Sequence, residues 1–102
     1  MSARVKKLEP IHPGQVLKSV LDDAGISASA VALALRIPAN RLTEIISGRR
    51  SLTADTALRL ARYFGTSARL WMNLQAKYDL ETAEDELAEK IEAEVQPRKR
   101  AS

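Results

Sequence analysis

The sequence has 102 residues, 16 Lys and Arg, 13 Asp and Glu, a formal net charge of +3 and no cysteine. That length fits one domain with a modest core, and it excludes a disulfide framework and a thiolate metal site. No apolar run approaches membrane-spanning length or makes a signal segment, so the chain is expected in the cytoplasm, with no membrane contact.

Only four residues are aromatic while Ala and Leu are abundant, which favours packed helices over a sheet. The charge is unevenly spread. Residues 1–78 carry a net +7, residues 79–94 a net −7, and Arg98, Lys99 and Arg100 add +3. A basic body suits a polyanion and an acidic segment repels one, so the two are expected to face different partners or directions. Residues 1–10 read as a flexible basic arm. Arg4, Lys6 and Lys7 in it are either solvated charges or phosphate contacts.

Ile11-His12-Pro13-Gly14 opens the first helix, where Pro is suited because its missing N–H is not needed. Leu17, Val20, Leu21 and Ala24 then fall at i, i+3, i+4 and i+7, an apolar stripe. Asp22 and Asp23 face solvent, and Gly25 ends the helix. His12 is the single histidine, and no partner for a metal or proton-transfer role is visible. It is expected to pack or to cap.

The stretch Ser27–Arg50, SASAVALALRIPANRLTEIISGRR, organises the chain. It reads as two short helices joined by a tight turn, with a basic run behind them. Ser27 caps the second helix, whose apolar residues are Val31, Ala34 and Leu35. The same N-terminus can seat a phosphate, and Ser27 and Ser29 are candidates for that contact. The turn is Arg36-Ile37-Pro38. Arg36 stands where glycine would ease a left-handed backbone, at a strain of order 1 kcal/mol. The third helix starts at Pro38, buries Leu42, Ile45 and Ile46, and turns Asn40, Arg41, Thr43, Glu44 and Ser47 outward. Asn can bond adenine and Arg can bond guanine, each with two parallel hydrogen bonds. Ala39 and Thr43 can meet a thymine methyl. Glu44 has two open readings: it accepts from cytosine, or it holds Arg41 or Arg49 in place. Gly48 stops the helix, and Arg49 and Arg50 follow.

Thr53 caps the fourth helix, with Asp55 in its first turn. Ala57, Leu58, Ala61 and Phe64 are its expected buried stripe, and Arg59 and Arg62 its solvated charges. Gly65 ends it, and Thr66 or Ser67 caps the fifth helix. Leu70, Trp71, Leu74 and Tyr78 there suit a core or a dimer contact better than a base-stacking platform. Residues 79–95 continue as an acidic helix with Leu80, Leu87 and Ile91 on one face. Two readings stand: the helix packs back on the domain, or it pairs between chains or docks a basic partner. Residues 96–102, with Pro97 and a basic cluster, are expected to be disordered. There is no phosphate-cradling loop, no nucleophile with a base and no metal-ligand cluster, so neither an enzyme nor a cofactor is expected.

IHPG, PANRLTEIISGRR, TADTALRLARYFGTS and LWMNLQAKYDL, in that order, resemble the HigA antitoxins of the Cro/C1-type helix-turn-helix family. The resemblance covers about residues 11–81. It implies an all-α, five-helix, lambda-repressor-like domain over residues 11–78, here with a C-terminal helical extension. It also implies a homodimer that represses its own operon by binding double-stranded DNA at a palindromic operator. The implied protein partner is a small basic messenger-RNA-cleaving toxin of the HigB/RelE type. Carried over by position, base reading falls on Ala39, Asn40, Arg41, Thr43 and Glu44. Phosphate contact falls on Ser27, Ser29, Arg49 and Arg50. Two positions depart from the pattern: Ala28 replaces a frequent glutamine, and Arg36 replaces the turn glycine. Two alternatives stay open, a stand-alone regulator with no toxin and a module that mainly sequesters a basic protein.

Overall fold

The computed structural model describes residues 9–99, and all regular structure among them is helical. The expectations for residues 1–8 of the basic arm and for residues 100–102 lie outside the described residues. The helices are α1 (Pro13–Ala24), α2 (Ala28–Leu35), α3 (Ala39–Ile46), α4 (Ala54–Phe64) and α5 (Ala68–Glu94).

Local chemistry sets most of the boundaries. Ser27 Oγ accepts from the Ala30 N–H at 3.1 Å, and Ser67 Oγ accepts from the Leu70 N–H at 2.9 Å. Thr53 Oγ1 caps α4 more loosely, accepting from the Thr56 N–H at 3.5 Å. Each supplies an acceptor to a first-turn N–H that has no partner inside its helix. Pro38 is the extended residue just before α3, so the helix begins one residue later than the sequence suggested. Arg36 closes α2 in the left-handed region with φ 62°, alone among the described non-glycine residues.

The core is made by Leu17 and Leu21 of α1, Val31, Ala32 and Leu35 of α2, and Leu42 and Ile45 of α3. Leu52, Ala57, Leu60 and Trp71 complete it from the later half of the chain. Three expectations are corrected. In α2, Ala34 is exposed and Ala32 is buried. At 100° per residue, Val31, Ala32, Leu35 and Ala28 share one arc, and Ala34 lies outside it. In α4, Leu58 is 63% exposed while Thr56 and Leu60 are fully buried. They flank Ala57 on the side away from Leu58, so the buried arc is rotated from the expected stripe. In α1, Ala24 is exposed, past the last buried turn. In α5 the buried residues are Trp71 and Gln75, and Leu70, at 48% exposed, falls to the dimer-contact half of its reading and not to the core half.

α5 runs unbroken from Ala68 to Glu94, so the acidic segment is the distal part of one 27-residue helix. Leu80, Leu87 and Ile91 on it are exposed. Glu81, Thr82 and Ala83 are half-buried, whereas residues 84–94 are exposed throughout, so the packing-back reading does not extend over that last part. Residues 95–99 carry no helix.

Candidate nucleic-acid interface

α3 has only eight residues, too short to persist alone in water. Leu42 and Ile45, both fully buried, fasten it to the core. Gly14 lets α1 come close to it: an ideal Cβ at that position would overlap the Ile45 carbonyl. With the α3 axis so held, its opposite face is presented outward. Asn40, Thr43 and Ser47 are exposed and Glu44 is half-buried. Ala39, exposed, lies on one flank of this arc, and Arg41, half-buried, on the other. Thr43 Oγ1 donates to the Asn40 carbonyl at 3.2 Å, which leaves its lone pairs and methyl outward.

The side chains around α3 are tied to one another. Glu44 pairs with Arg50, at 2.7 Å to Nη2 and 2.8 Å to Nε, and not with Arg41 or Arg49, the partners that one of its two readings named. Arg49 Nε donates to Ser47 Oγ at 3.0 Å. Arg41 Nη1 donates to Asp55 Oδ2 at 3.1 Å. Arg59, expected to be a simple solvated charge, contacts the same carboxylate at 3.1 Å and reaches the Leu35 carbonyl at 2.9 Å. A groove between the α2–α3 turn and the start of α4 gathers Arg36, Arg41, Arg50 and Arg59 around Asp55. From residue 36 to residue 59 there are five arginines and two carboxylates, so the field here favours an anion.

Two buried residues hold the loop that carries Arg49 and Arg50, and sequence reading did not assign them to it. Gln75 Oε1 accepts from the Leu52 N–H at 2.7 Å, and its Nε2 donates to Asp79 at 2.8 Å. His12 caps α1, its Nδ1 accepting from the Gly14 N–H at 2.9 Å. Its ring meets Tyr78 edge-on, with centroids 4.8 Å apart. It also shares a hydrogen bond with the Arg50 backbone. Burial lowers the His12 pKa from 6.5, opposed by that bond and by the Asp79 charge. A buried amide on the Trp71 face was the available signal for Gln75; the loop atom it serves lies 23 residues away.

Of the nominated phosphate contacts, Ser27 and Ser29 are exposed at the start of α2, and Arg49 and Arg50 are exposed in the loop after α3. Ala28 packs partly against the core. No group of three His, Cys, Asp or Glu side chains able to hold a metal occurs among the described residues, nor a helix long and apolar enough to cross a membrane.

Comparison with known proteins adds three findings. The helix-turn-helix family profile matches residues 17–71. Virulence-associated protein I of Dichelobacter nodosus is 47% identical over 81 residues, 78% of this chain and 75% of that protein. An addiction module antidote protein of the HigA family from Coxiella burnetii superposes with a TM-score of 0.83 at 48% identity, over 89% of this chain and all of that one. The Pseudomonas aeruginosa antitoxin HigA, solved with the higBA promoter, gives 0.83 at 45% identity, over 86% of this chain and 97% of that one.

Proposed function

The chain belongs to the HigA antitoxins of the helix-turn-helix family, and from that premise we propose that it is a sequence-specific DNA-binding repressor of its own operon. The observation that carries the reading is the outward arc of α3, where Asn40, Thr43 and Glu44 stand between Arg41 and the Arg49–Arg50 loop. Polar side chains on a short, firmly anchored helix read base edges, and the arginines around it meet phosphates. The P. aeruginosa relative solved with promoter DNA supports the same use of the fold. Two copies related by a two-fold axis place their α3 helices about 34 Å apart, one duplex turn, on a palindromic operator.

In this reading Ala39, Asn40, Arg41, Thr43 and Glu44 supply specificity. Ser27, Ser29, Arg49 and Arg50 supply affinity. The protein works in the cytoplasm, performs no catalysis and neutralises a small basic toxin of the HigB type. The test is binding of the pure protein to the DNA upstream of its gene and to a scrambled fragment, across a salt series. Tight, selective binding with a steep salt slope is expected. Equal, weak binding to both fragments overturns the repressor reading. Arg49→Ala should weaken both fragments alike and reduce the salt slope by about one.

The distal part of α5 favours a second reading, a module that mainly masks a basic protein. Its acidic surface and exposed Leu87 and Ile91 are the motive. Binding of a HigB-type toxin that survives deletion of residues 84–102 removes that surface from the reading.

A further inference from the structure

Asp55 belongs to neither proposed contact set, yet it joins three helices. Its carboxylate sits in the first turn of α4 and takes Arg41 of α3 on Oδ2 at 3.1 Å. Arg59 Nε meets both oxygens, at 3.1 and 3.2 Å, and Arg59 Nη1 reaches the last carbonyl of α2 at 2.9 Å. The relay therefore runs from the α2 main chain through Arg59 and Asp55 to Arg41. It orients the carboxylate before any DNA arrives. Asp55 is 54% exposed in its side chain, so these pairs add little to folding stability. A carboxylate on a face that meets phosphates also weakens general DNA affinity. The first turn of α4 suits a carboxylate through the helix dipole, and its contacts to Arg41 and Arg59 give it a second role.

We propose that Asp55 is a specificity-determining positioning residue that touches no base but holds the Arg41 guanidinium at the edge of the α3 reading face. The inference rests on the base-reading role of Arg41. A guanidinium has five donors, and Asp55 takes one. The remaining donors are enough for the two parallel bonds to a guanine. Holding one edge limits the angles from which the other can approach, which favours a base edge over the diffuse row of phosphates.

The test is a double-mutant cycle with the full chain on the upstream and scrambled DNA fragments. Asp55→Ala should raise affinity for scrambled DNA while lowering the upstream-to-scrambled ratio about tenfold. Asp55→Asn keeps the shape and one acceptor oxygen, and should fall between; it also serves if the alanine variant does not fold. With Arg41 already replaced by Ala, Asp55→Ala should leave the ratio unchanged. A purely structural role predicts instead that both fragments lose affinity together, and that pattern overturns the proposal. So does an equal loss of ratio with and without Arg41. If Arg41→Ala lowers the ratio and Asp55→Ala does not, the positioning role fails and the reading of Arg41 stands. If Arg41→Ala leaves the ratio unchanged, base reading by Arg41 fails and the positioning role falls with it.

Discussion

Arg36 shows how a single residue is strained by its place in the motif. The turn between α2 and α3 needs a left-handed residue, and the chain supplies an arginine at φ 62°. Its Cβ crowds the following carbonyl, whereas glycine has no Cβ. Arg36→Gly should therefore stabilise the fold by about 1 kcal/mol, read as a shift in the denaturation midpoint at constant slope. A loss of stability would mean that the arginine side chain outweighs the strain. His12 gives a pH dependence. Burial lowers its folded pKa below 6.5, so the unfolded chain takes up the proton first. Its neutral form supports stability above that value, and the support is lost as the pH falls through it. Unfolding free energy should thus drop as the pH falls below about 6.5, above the range where exposed carboxylates titrate. His12→Asn keeps a capping acceptor but no titrating group, and should flatten that window in urea titrations. An unchanged slope would assign the effect elsewhere.

At the scale of the element, α3 is useful because it is short and fixed. Its position depends on close approach to α1 at Gly14, where a methyl group would overlap the Ile45 main chain. Backbone cannot rotate away as a side chain can, so the two helices must separate. Gly14→Ala should cost about 3 kcal/mol, measured by thermal or denaturant unfolding, and should weaken DNA binding beyond any loss of fold. A neutral result would mean that the two helices have slack between them. The glycine in IHPG was visible in the sequence, but it lies 31 positions from Ile45, and nothing local announces that contact. α4 teaches a related lesson. Its helical period was legible, but the arc was not, because Leu58 and Leu60 are equally apolar. Only the seating of α4 against α2 and α5 puts Leu60 inside and leaves Leu58 in water.

The whole molecule is elongated. Its extents are 57 × 34 × 22 Å and its radius of gyration is 17.9 Å, against about 13 Å for a compact chain of this size. The cause is α5, whose 27 residues span about 40 Å and whose last turns project beyond the core. Residues 84–94 are all exposed, and the last residue in the aromatic contact is Tyr78. Deleting residues 84–102 should leave the unfolding free energy within about 1 kcal/mol of the full chain, by denaturant titration. The same variant, weighed in solution, tells whether the projecting helix pairs between chains: a fall to monomer mass says that it does. A large loss of stability would show that the distal helix supports the core after all.

Helix caps, the left-handed turn residue and the outward character of α3 were determined by the sequence alone, because each depends on atoms a few residues apart. Ser27, Ser67 and Arg36 act within their own turns. The long-range partners of the charged and polar side chains were decided only by tertiary structure. Arg41 meets Asp55 across 14 residues, Arg59 meets the Leu35 carbonyl across 24, and Gln75 meets Leu52 across 23. Those distances follow from how the helices pack. A periodic pattern places a residue around its own helix axis but not relative to the axis of another.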